Sequence, residues 1–170
     1  MKQYDIVEFI QRNQFKNIQE NQLNNTEQDY IINLALCILA NRYAPGKALT
    51  KPEDTARYLQ LLLAENKSEI FGVLFLDNQH RVLGFEKLFY GTIDSASVYP
   101  RVIAQRALEL NAAALIATHN HPSGVAEPSE SDKQITAKIK KAVELIDIRL
   151  LDHFIVSTQT TYSFAEHGLV

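Results

Sequence analysis

The sequence predicts an α+β fold: one mixed β-sheet with helices packed on it. Two changes of rhythm carry the prediction. Apolar residues recur every three or four positions as far as Leu63, then gather into strand-length runs that begin with IFGVLFLD, Ile70 to Asp77. From there strand-like and helix-like stretches follow in the order β-β-α-β-α-β-β. In 170 residues that order suits one layered domain with a small helical extension in front.

MKQYDIVEFIQRNQ reads as a short first helix. Gln11 to Gln28 is polar and rich in Asn and Gln, a linker or frayed helix. Asn25 or Thr26 is the expected cap of a helix reaching Arg42, with Ile31, Leu34, Ala35, Ile38 and Leu39 on one face. Cys37, in the run LALCILA, reads as a buried small hydrophobe. Thr50 and Glu53 have capping-box spacing, and Pro52 suits a first turn. The helix they open should reach Ala64 with Ala56, Leu59 and Leu63 inward.

Ile70 to Asp77 and RVLGFEKLFYG then form an antiparallel hairpin about the turn DNQH. Tyr99 to Leu110 is helical, with Pro100 in its first turn. AALIATHNH is apolar almost to its end, so it belongs at the centre of the sheet with both faces covered. Ser129 to Ile146 is a helix that buries Ile135, Ile139, Ala142 and Val143. IRLLDHFIV and TTYSFAE are the closing strands.

Composition narrows the function classes. A net charge of −3 gives no electrostatic footprint for general nucleic-acid binding. Lys133, Lys138, Lys140 and Lys141 share one predicted helix, but Glu130, Glu144 and Asp147 interleave with them, which is the pattern of a solvated face. Cys37 is the only cysteine, so no internal disulfide forms. The N-terminus lacks a signal-peptide core, and no apolar run approaches the roughly 18 residues that span a bilayer. The expectation is a cytoplasmic protein with no membrane partner. A chain this long buries a core without staples, so a metal would serve function rather than folding. The edge of a mixed sheet leaves a homo-oligomer open.

One stretch carries chemistry: THNHPSGVAEPSESD, Thr118 to Asp132. Side chains alternate along a strand, so His119 and His121 point the same way where the apolar strand leaves the sheet. Pro122-Ser-Gly124 turns the chain, and Asp132 falls in the first turn of the next helix. Two imidazoles and a carboxylate are a sound zinc set that leaves a fourth position for water. The same residues can also be read as a strand end beside a helix cap, since Ser129-x-x-Asp132 resembles a capping box. Spacing alone leaves both readings open.

His119-x-His121-Pro-Ser followed by Pro128-Ser129-x-x-Asp132, with ten residues between His121 and Asp132, resembles the JAMM (MPN+) metalloprotease signature. More narrowly, LFYGTIDSASVYPRVIAQRALELNAAALIATHNHPSGVAEPSESD and the later LLDHFIVS resemble the RadC family of JAMM-like proteins. The resemblance covers Thr50 to Val170 and leaves residues 1–49 as a helical extension. It implies a JAMM/MPN-like, cytidine-deaminase-like architecture. The helix-hairpin-helix segment of longer members is not evident, so the chain looks like the short, prophage-type form.

By this resemblance His119, His121 and Asp132 bind zinc (Zn2+), with water as fourth ligand. Glu69, in SEIFGVLFLD, is the glutamate that acts as general base; Glu86, in the hairpin, is its rival. Ser129 matches the serine that supports the oxyanion, with a plain N-cap as the alternative. His153 reads as a sheet histidine or a partner of the site, and Asp152 as a residue that could orient a zinc histidine. The implied activity is zinc-dependent hydrolysis of a peptide or isopeptide bond in a peptide or protein substrate. The alternatives are a non-catalytic metal-binding partner protein and a DNA-repair role, a label the RadC family has carried. A zinc deaminase is disfavoured more strongly, because its signature needs H-x-E with P-C-x-x-C and this chain has one cysteine.

Overall fold

The computed structural model describes residues 19–42, 44–49, 51–63, 66–91 and 98–170. The expected first helix and Thr50 of the expected capping box lie outside them. The chain divides into two compact units between Ile38 and Leu39.

In the first unit a 3-10 turn, Glu20–Gln22, precedes α1 (Asn25–Arg42), which runs across the division. The cap is Asn24, one residue earlier than expected. Its Oδ1 accepts the Glu27 N–H at 3.1 Å, and the Glu27 carboxylate accepts the Asn24 N–H at 2.9 Å. Cys37 is exposed, contrary to the sequence expectation. Apolar residues surround this helix on every side, so one stripe cannot bury them all, and Cys37 and Ile38 are left outside.

The second unit is built on a five-stranded sheet. Its strands are β1 (Ile70–Leu76), β2 (Val82–Tyr90), β3 (Ala114–Asn120), β4 (Arg149–Val156) and β5 (Thr161–Ser163), in the order β2-β1-β3-β4-β5. Only β3 and β4 are parallel, and that pairing needs a crossover, which α4 (Glu130–Glu144) supplies. The other pairs are antiparallel. α2 (Pro52–Leu63) precedes the sheet and α3 (Pro100–Glu109) joins β2 to β3.

Helices cover both faces. On one side Ile103 and Ala107 of α3 and Ile139 and Val143 of α4 pack on Phe71, Val73, Phe75, Leu115 and Ala117. On the other, Ala56, Leu59 and Leu63 of α2 meet Leu74, Leu76, Ile116 and Phe154. Leu59 and Leu63 are fully buried, worth about 1.5–3 kcal/mol each. This two-sided cover explains why β1 and β3 are buried along their whole length, as the unbroken apolar runs predict. Gly72 interrupts β1 because a Cβ there would meet the Phe85 ring at 2.7 Å. The expected strand TTYSFAE is shorter, ending at Ser163; turns closed by His167 N–H to Phe164 and Gly168 N–H to Ala165 take over. Among the described residues no helix is long and apolar enough to cross a membrane.

Candidate metal centre

β3 delivers the histidines. Alternation along the strand puts Leu115, Ala117 and His119 on the face covered by α3 and α4, and Thr118 and Asn120 on the other. His121 follows the last strand residue and stays tied to the sheet, its N–H donating to Val156 at 2.9 Å. A turn then closes with the Gly124 N–H on the His121 carbonyl at 3.1 Å. Gly124 has φ +87°, a conformation glycine adopts without steric cost.

α4 delivers the carboxylate. Ser129 is its N-cap: Oγ accepts the Asp132 N–H at 3.2 Å, and Asp132 Oδ2 accepts the Ser129 N–H at 2.8 Å. The Ser129 hydroxyl also donates to Oδ2 at 2.5 Å. The capping box anticipated from Ser129-x-x-Asp132 is therefore real, yet it does not consume the carboxylate. Oδ1 faces His119 Nε2 at 3.2 Å, and Oδ2 lies 3.7 Å from His121 Nε2.

The three side chains converge. His119 Nε2 and His121 Nε2 are 3.0 Å apart, and one ligand atom from each of His119, His121 and Asp132 lies within 4.8 Å of the others. Two nitrogens held at about 2.0–2.1 Å by a tetrahedral ion sit about 3.3 Å apart, so the observed spacings suit a single ion. Polarity fits as well. The Val125 carbonyl, 2.8 Å from His121 Nδ1, can only accept, so Nδ1 carries the proton and Nε2 presents a lone pair. Burial works against charge on Asp132, but the hydrogen bond and charge of His119 and two hydrogen bonds from Ser129 outweigh it and hold the carboxyl well below the usual range. The site can hold a metal ion.

Glu69 sits one residue before β1. Phe71 pairs with His119, so the antiparallel register carries Glu69 toward the His121 end of β3. Burial raises its carboxyl; His119 and His121 pull it down and Asp132 pushes it up, which places it in electrostatic range of all three. Glu86 is differently engaged. Both its oxygens accept from Arg106 of α3, at 2.7 to 2.9 Å.

Three further residues frame the site. Asn120, fully buried between the two histidines, bonds to the Asn66–Ile70 segment that carries Glu69. His153 Nε2 lies 2.8 Å from His119 Nδ1, and Thr136 Oγ1 lies 2.6 Å from His153 Nδ1. Burial, then the charge of His119, holds His153 well below its usual value and keeps its ring neutral. The Phe164 ring stacks on it at 4.8 Å. Asp152 does not orient a site histidine. Its oxygens accept from the His153 and Ala165 N–H groups and the Ser163 hydroxyl, all away from His119 and His121. Thr136 had a sequence signal: it follows Asp132 by four residues, so both lie on one helix face.

Residues 49–169 match the family described as RadC-like JAB domain. The chain is 52% identical over 140 residues to a UPF0758 protein of Methylibium petroleiphilum, covering 82% of this chain and 63% of that one. It is 58% identical over 123 residues to a UPF0758 protein of Aliivibrio salmonicida, covering 72% and 55%. A third, from Vibrio parahaemolyticus, is 54% identical over 132 residues, covering 78% and 59%. The chain thus spans between half and two-thirds of the length of these curated relatives. With a family match over most of its length, on a mixed sheet that carries the expected motif at its centre, the chain belongs to the RadC family.

Proposed function

We propose that this chain is a zinc-dependent hydrolase of a peptide or isopeptide bond, with His119, His121 and Asp132 as the metal ligands. The observation that carries the reading is the convergence of two imidazole lone-pair positions and one carboxylate on a single point, with spacings that suit one ion. Zinc held there would supply Lewis acidity, polarising a carbonyl and lowering the pKa of water.

The remaining work falls to the chain. Glu69 takes the proton of the attacking water on its carboxylate and passes it to the leaving amine. Partial burial supports that assignment, because it raises the Glu69 carboxyl and so makes its carboxylate a better proton acceptor. Ser129 Oγ, the α4 cap, turns its hydroxyl from Asp132 toward the developing oxyanion. A donor so placed contributes about 2.7–4 kcal/mol in comparable sites.

The test is metal content by elemental analysis of protein purified without a His-tag, beside His119→Ala. About one zinc per chain, lost in the variant, is expected. Iron, cobalt or manganese in its place would revise the metal and keep the ligands. No metal in either protein after zinc is supplied would overturn the reading. Zinc without hydrolysis across a peptide and isopeptide panel would favour the non-catalytic alternative.

A further inference from the structure

A second line of hydrogen bonds runs behind the candidate ligands, from α4 through β4 to β3. Thr136 Oγ1 lies 2.6 Å from the main-chain oxygen of Asp132 and 2.6 Å from His153 Nδ1. His153 Nε2 lies 2.8 Å from His119 Nδ1. Thr136, His153 and His119 are each at most 1% exposed, so water does not compete for these contacts.

The line has a direction. Two oxygens 2.6 Å apart need a proton between them, and a carbonyl has none, so the Thr136 hydroxyl donates to Asp132. A hydroxyl has one hydrogen, and toward His153 it can therefore only accept. The proton of the His153 ring is then on Nδ1, and Nε2 accepts. His119 donates from Nδ1, and in the neutral ring its Nε2 is left with a lone pair toward His121 Nε2 and Asp132 Oδ1, where a metal ion would replace the proton that pairs His119 with Asp132.

We propose that Thr136 and His153 are positioning residues, a relay that fixes His119 in the Nδ1–H tautomer, the form whose Nε2 can bind a divalent ion. The proposal rests on the metal reading above. Asp132 stands at both ends of the circuit. Its carbonyl sets the direction of the relay, and its carboxylate faces the lone pair that the relay exposes. Ring packing adds to the restraint: Phe71 stacks on His119 with centroids 6.0 Å apart, and Phe164 covers His153. Groups that hold the far nitrogen of a ligating histidine typically change metal affinity by about 10–100-fold when removed.

The test begins with wild-type protein near pH ~8, where neutral imidazoles predominate. Long-range nitrogen–proton correlation spectra distinguish the two tautomers of His153, with and without zinc. A proton on Nδ1 in both samples is expected; a proton on Nε2 in either overturns the relay. Zinc affinity, read by competition with a chromophoric chelator, is the second measurement. Thr136→Val keeps the branched shape and removes the acceptor, and should weaken zinc binding about 10–100-fold. Thr136→Ser keeps the hydroxyl and should restore binding. A folded valine variant that binds zinc like the wild type overturns the proposal. If the valine variant does not fold, the wild-type His153 tautomer still decides. If the wild type binds no zinc, the metal reading fails, and the same spectrum still decides the relay.

Discussion

The Asn120 side-chain oxygen accepts the main-chain N–H of Ile70 at 2.8 Å, and its nitrogen donates to the carbonyls of Asn66 at 3.2 Å and Ser68 at 3.1 Å. The residue between the two candidate ligands thus holds the backbone on both sides of Glu69. It does so from the sheet face opposite the histidines, without touching a ligand atom. Asn120→Ala leaves a buried N–H and two carbonyls without that partner, and should cost about 1–3 kcal/mol. Asn120→Asp should cost more, because both oxygens then accept and the carbonyls of Asn66 and Ser68 face a buried negative charge. Urea denaturation and amide exchange at Ile70 check this. Zinc affinity should stay near the wild-type value. An alanine variant of full stability, with the Ile70 amide still protected, would show that the clamp does nothing.

The two glutamates of the first hairpin region separate by their partners. Glu86 is held by Arg106, an ion pair 28% and 38% exposed on its two sides. Glu86→Gln should therefore cost no more than about 1 kcal/mol and leave hydrolysis intact. Glu69 has the neighbourhood of a proton carrier. Glu69→Gln should keep zinc and reduce turnover by about 10²–10⁴-fold. Zinc content and rate, measured on both variants with any peptide substrate found by screening, give the answer. The reverse pattern, with Glu86→Gln inactive and Glu69→Gln active, would reassign the base.

The element order was legible because it depends on local pattern. Continuous apolar runs marked β1 and β3, and the spacing of Ala56, Leu59 and Leu63 marked the buried face of α2. The candidate metal cluster was legible as a group because its members lie within one stretch of chain, His119 to Asp132. What the sequence left open was long-range. His153 meets His119 only because β4 pairs in parallel with β3, and a parallel register is not written in either strand. Asn120 carried no signal in the sequence, since its partners are some fifty residues away. Asp152 beside His153 invited a functional reading, yet the alternation of the strand sends their side chains to opposite faces.

Asp152 supplies a prediction about acid. Its Oδ1 accepts the N–H groups of His153 at 2.7 Å and Ala165 at 2.9 Å, and its Oδ2 accepts the Ser163 hydroxyl at 2.6 Å. Burial raises its carboxyl above the ordinary value against the pull of those three donors. The folded state then holds the proton more tightly than the unfolded state. The stability this gives is fully present below the unfolded value of about 3.9 and declines as pH rises through the raised folded value. Asn at this position has no proton to lose and keeps one oxygen for the two N–H donors. Relative to Asp152→Asn, the wild type should lose stability as pH climbs through that window and level off above it. Paired urea melts from roughly pH 3.5 to 7 would read the difference. If the wild type instead gains on the variant over that range, the three donors win over burial, and the carboxyl lies below its ordinary value.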